Sequence, residues 1–223
     1  MKTTSLAIIY CLVFLFGSRA QSPSSNNEMI RLLADIAEKN NSPYNPFASR
    51  ARLTRFNESL RKATGIVDST KWQFLIARTL LELGNEKKAV ATGEYLLNRL
   101  RSFGEADKQV IRRELALAYL RDGERTNCVR NHSAASCIFP IAGRGVQAYK
   151  NGSQKAIELY EEILKHSPSD IESRWLLNIA FMVIGEYPQS VPPQFLIPGL
   201  DEPSSTAVKP FEDATMEAGL NTN

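Results

Sequence analysis

Cys128, His132 and Cys137 fall within ten residues of one another, in the stretch "NCVRNHSAASCIFPIAGRGV" from Asn127 to Val146. Thiols and an imidazole this close allow three kinds of chemistry: a zinc site, a thiol nucleophile with a histidine base, or a disulfide that staples a loop. A zinc site takes about four protein ligands, or three and a water. The chain offers one further histidine, His166, and the eight residues between Cys128 and Cys137 exceed the spacing of about two to four usual for paired ligands. No Cys-x-x-Cys-His run supports covalent haem attachment. A catalytic cysteine would have to stay a free thiol, which depends on the compartment.

The N-terminus "MKTTSLAIIYCLVFLFGSRAQS" bears on that compartment. Lys2 precedes an apolar run of eleven residues, Leu6 to Phe16, and Ser18-Arg19-Ala20 is a small-x-small cleavage pattern. The run is short of the ~20 residues that span a bilayer. The expectation is a secretory signal over residues 1–20, cleaved after Ala20, and a periplasmic or extracellular protein. Cys11 leaves with the signal, and the net charge falls from +3 to +1 as Lys2 and Arg19 go. A nearly neutral exported protein is a poor binder of nucleic acid, and no later segment is apolar enough to be a transmembrane helix. Two thiols in an oxidising compartment tend to pair. The expected site is therefore a Cys128–Cys137 disulfide, closing a ten-residue loop and worth about 2.5–3 kcal/mol.

The elements that would hold this loop read as helices. In "EMIRLLADIAEKN", Met29, Leu32, Leu33 and Ile36 recur at helical spacing. Asn45-Pro46 opens a second helix, whose Arg50, Arg52, Arg55, Arg61 and Lys62 form a basic, solvated face or a dock for an acidic partner. Helical runs follow to Gly185, and no stretch alternates like a strand. Beyond Gly185 the chain is rich in proline and expected to be irregular. The fold class is all-α.

Residues 70–103 resemble a tetratricopeptide repeat. Ala77 and Ala89 are the small residues where paired helices approach, and Gly84 makes the turn. The pattern restarts with Ala116, Tyr119 and a turn at Gly123, but its second helix, with Ala156, Tyr160 and Pro168, comes only after an insertion over residues 124–151. The organisation is then a signal (1–20), a leader and helix pair (21–69), repeat-like helices with the insertion (70–187) and a Pro-rich tail (188–223). Trp72 and Trp175 sit on first helices of repeats, as core or groove residues. Glu158, Glu161 and Glu162 fit helix-surface ion pairs with Lys155 and Lys165 better than acid–base work.

"ERTNCVRNHSAASCIFPIAGRGV", "SRWLLN" and "GEYP" together resemble the N-terminal repeat region of exported bacterial proteins that carry FG-GAP/VCBS repeats and an ASPIC/UnbV domain. The tail "FEDATMEAGL" resembles the lead-in to that family's β-propeller, whose calcium-binding loops have no counterpart in this sequence. The resemblance implies a non-catalytic scaffold without a cofactor. Its partner would be a protein or peptide, with a propeller chain among the candidates. The alternative is a ligand- or metal-binding protein that uses the 127–147 insertion, with His132 and Gln147 meeting in a polar cavity.

Overall fold

The computed structural model of the chain describes residues 23–100, 103–202 and 212–220. The expected signal with its cleavage point after Ala20, and Phe211 at the head of the propeller-like lead-in, lie outside the described residues. Every regular element among the described residues is helical: α1 (Pro23–Asn40), α2 (Ser49–Lys62), α3 (Ile66–Glu82), α4 (Glu86–Arg99), α5 (Glu105–Arg130), a 3-10 turn (Gly143–Gly145), α6 (Asn151–His166) and α7 (Ile171–Val183). The architecture is all-α. No helix among the described residues is long and apolar enough to cross a membrane. The chain divides into two compact units, Met1–Asn85 and Glu86–Asn223. The division falls just after Gly84, within the span 70–103, so α3 and α4 belong to different units.

In the first unit, α1 begins at Pro23, ahead of the Glu28 start that periodicity suggests; proline suits a first helical turn because its missing N–H would be unpaired there anyway. The stripe of Met29, Leu32, Leu33 and Ile36 is exposed. α2 and α3 form an antiparallel pair. Phe56 is buried with its ring 5.9 Å from that of Trp72. Ser49 Oγ donates to Glu82 at 2.8 Å, and Arg52 pairs with the same carboxylate. The Arg55 guanidinium lies 4.7 Å over the Tyr44 ring. Part of the basic face of α2 is thus engaged within the unit.

In the second unit, α4 to α7 stack in sequence as antiparallel neighbours. Glu86 at the start of α4 meets Arg125 late in α5, and Glu162 late in α6 meets Arg112 early in α5 at 2.6 Å. α5 runs for 26 residues to Arg130 and does not turn at Gly123 as the repeat pattern implies. Gly123 instead receives the start of α6. A Cβ on Gly152 would lie 2.7 Å from the Tyr119 carbonyl oxygen and 2.8 Å from Gly123 Cα, so this crossing requires glycine. Ala116, Ala156, Tyr160, Ile163, Leu164, Leu177, Ala180 and Ile184 form a core at or below 2 % exposure. Each large aliphatic side chain there contributes about 1.5–3 kcal/mol by leaving water. α7 is capped by Asp170, whose carboxylate accepts from Ser173 N–H at 3.1 Å.

The stretch after Gly185 is irregular, as its prolines require, yet its first part belongs to the core. Tyr187, Val191 and Phe195 are buried. Asn178 and Arg174 of α7 hold it down. Asn178 Nδ2 donates to the Phe195 carbonyl (2.9 Å), Ile197 N–H donates to Asn178 Oδ1 (3.0 Å), and Arg174 Nε donates again to the Phe195 carbonyl (3.0 Å). Backbone without helix or sheet partners can be buried only when side chains satisfy it, and these two side chains do so.

Candidate functional site

Cys128 and Cys137, expected as a disulfide, are both free, exposed thiols. The correction has a local cause. Cys128 lies within α5, which continues to Arg130, so the start of the supposed loop is helical and Cys128 is held on a rigid rod. Cys137 lies in the turn beyond it. Hydrogen bonds take the place of the staple. Asn127 Nδ2 donates to the Tyr149 carbonyl at 2.8 Å, and Tyr149 N–H donates to Asn127 Oδ1 at 2.9 Å. Ser133 N–H donates to Ser136 Oγ (2.9 Å), and Ser133 Oγ donates to the Arg144 carbonyl (3.0 Å). Gly145 packs on the Ala135 carbonyl with no room for a Cβ. Gln147 N–H donates to the Val183 carbonyl at 2.8 Å, which fastens the insertion to the end of α7.

The folded insertion roofs a cavity of about 470 Å³ between α5 and α7. Leu120 and Cys128 of α5, Cys137, Ile141 and Gln147 of the insertion, and Trp175 and Ile179 of α7 line it. Trp175 and Phe139 stand about half exposed. Gln147 is almost wholly buried, and Ser153 Oγ donates to its Oε1 at 2.7 Å. His132 is exposed and is not among the lining residues, so the structure does not bring it together with Gln147 in the cavity. His166 ends α6, with Nδ1 3.0 Å from the Glu162 carbonyl oxygen and Nε2 3.8 Å from Glu105. Among the described residues no group of three or more His, Cys, Asp or Glu side chains could hold a metal ion.

A second concavity, about 320 Å³ and polar, spans three successive helices. α4 supplies Glu94 and Asn98, α5 supplies Tyr119, and α6 supplies Lys155 and Glu158. The Tyr119 hydroxyl donates to the Glu94 carboxylate. Burial and that neighbouring carboxylate push the Tyr119 phenol above its ordinary pKa. Lys155 pairs with Glu158 at 2.8 Å, as their spacing implies. Glu162 goes to Arg112 and not to Lys165. Sequence reasoning found Tyr119 only as a repeat position and Glu158 only as an ion-pair partner. Glu94 and Asn98 were missed; their one signal is i, i+4 spacing on α4.

No protein-family model, no curated protein and no solved structure matches this chain.

Proposed function

We propose that the chain is an exported helical-repeat scaffold that binds a protein partner in the polar concavity of α4, α5 and α6. The observation behind this reading is that one open groove draws Glu94, Asn98, Tyr119, Lys155 and Glu158 from three consecutive helices. Stacked helix pairs offer partners this kind of shared face. Buried Ala89, Ala116, Ala156 and Ala180 are the small residues that let repeat helices approach closely, in keeping with a tetratricopeptide-like arrangement. Three of these five side chains are charged, Glu94, Lys155 and Glu158, with both signs present, which suits a mixed-charge peptide segment over a nucleic acid. The resemblance in the sequence makes a β-propeller chain the partner of choice.

A photo-crosslinking residue placed at Asn98, in a bacterium exporting the protein, should give one discrete adduct with a propeller-bearing chain. The same residue at exposed Lys165 should not. Equal labelling from both positions, or none from position 98, overturns the assignment.

A further inference from the structure

The insertion-roofed cavity holds an amide donor without an acceptor. Gln147 is 7 % exposed and lines the cavity. Its backbone N–H goes to the Val183 carbonyl, and its Oε1 accepts from Ser153 Oγ. The Ser153 bond turns the oxygen end toward α6 and leaves Nε2 to the cavity, with no acceptor among the described residues. Nε2 is not sealed from solvent, so a ligand's carbonyl oxygen would take the place of water there. The surrounding wall is apolar, built from Leu120, Ile141, Leu176, Ile179 and the Trp175 ring. Its two nearby charges, Arg121 and Glu124, neutralise each other at 2.6 Å, so no charge is left over for an ionic ligand. The volume of about 470 Å³ lies in the range of small-molecule sites, ~300–1,000 Å³, and cannot admit a helix about 10 Å across.

We propose that this cavity binds a small, neutral, apolar molecule carrying one carbonyl oxygen, which accepts from Gln147 Nε2 while its hydrocarbon body lies between α5, α7 and Trp175. The proposal is independent of the scaffold reading, because the groove of α4–α6 shares none of these lining residues. The two thiols at the cavity provide the assay. Prodan, a neutral naphthyl ketone dye, should bind with a blue-shifted emission and should slow alkylation of both Cys128 and Cys137 by N-ethylmaleimide. A dimethylaminonaphthalene without the ketone should bind more weakly. Gln147→Leu should weaken prodan roughly 3–10-fold, the worth of one hydrogen bond, and leave the ketone-free compound unchanged. Ile179→Trp, which fills the cavity and keeps the amide, should abolish binding of both. Unprotected thiols, an unchanged preference for the ketone in Gln147→Leu, or undiminished binding in Ile179→Trp would each overturn the proposal.

Discussion

Asn127 and Asn178 make nearly the same bonds at two places in the second unit, yet the segments they hold differ sharply. Asn127 sits in the last turn of α5 and Asn178 in the middle of α7. Each donates from Nδ2 to the carbonyl four residues back, Gly123 or Arg174, at 2.8 Å. Each clamps an irregular segment by one donated and one accepted backbone bond, to Tyr149 in one case and to Phe195 and Ile197 in the other. The segment under Asn178 is sealed, with Val191 and Phe195 at 4 % and 5 % exposure. The segment under Asn127 leaves Ile138 and Phe139 outside, at 62 % and 52 %, and encloses a cavity. The clamp therefore does not decide whether a segment becomes core. Where its apolar side chains project decides that, and a clamped but poorly filled segment is one that can form a binding site.

The comparison can be broken at its stronger end first. Asn178 is fully buried, so Asn178→Leu removes one of the donors to the Phe195 carbonyl and leaves the Ile197 N–H without its acceptor. Arg174 still reaches the Phe195 carbonyl, which limits the loss. A destabilisation of about 3–4 kcal/mol is expected in chemical denaturation. Asn127→Leu frees the backbone groups of Tyr149, a half-exposed residue where water can take over, and should cost about 1–2 kcal/mol. Equal losses in the two variants would show that the sealed and open segments depend on their clamps alike, and the distinction would fail.

Neither clamp was legible in the sequence. An asparagine bonded to backbone some twenty residues away leaves no periodicity and no spacing rule. The same gap hid the burial of Val191 and Phe195, because a Pro-rich run carries no helical or strand pattern to mark an inner face. What periodicity does mark came through: the helices themselves, and Ala116, Ala156 and Tyr160 at the core. Gly123 was legible as a special position but with the wrong cause. A glycine that admits a crossing helix looks the same in sequence as one that ends a helix. The thiol pairing failed because cysteine spacing counts residues and not the three-dimensional path, and α5 extends through the first of the pair. In the candidate groove, side chains from three helices meet across sequence distances that one chain alone does not reveal.

α7 serves both regions, through Asn178 on one side and Trp175 and the Val183 carbonyl on the other, so loosening its start should touch both. Burial alone would raise the pKa of Asp170, but the N–H and hydroxyl of Ser173 and the Arg113 guanidinium outweigh it and hold the carboxyl below its ordinary value. A lowered pKa means that the charged form is favoured by folding. That stabilisation is complete above the ordinary carboxylate pKa and is lost as pH falls through the lowered one. Asp170→Ala should cost about 1 kcal/mol near neutral pH, the usual worth of an N-cap. The gap from the parent protein should narrow as pH falls below the ordinary carboxylate range. A gap independent of pH would assign the loss to packing and not to the charged cap.

The smallest effect expected separates hydrogen-bonded anchoring from covalent anchoring. Cys128 and Cys137 are free and exposed, and the insertion is held by Asn127, Ser133, Ser136 and Gln147 instead. In protein lacking residues 1–20, thiol titration under denaturing conditions should therefore find both cysteines reactive. Cys128→Ser, Cys137→Ser and the double variant should each stay within about 0.5 kcal/mol of the parent, as exposed substitutions do. A bonded pair would behave differently: no titratable thiol, and a loss of about 2–3 kcal/mol for either single change, not increased in the double. Amide exchange places the test on the comparison itself. The Tyr149 N–H reports the insertion and the Ile197 N–H reports the sealed segment, which contains no cysteine. A reductant should leave both protected to the same degree as before. If it speeds exchange at Tyr149 alone, the insertion owes its position to a disulfide, and the two segments are held by different chemistry.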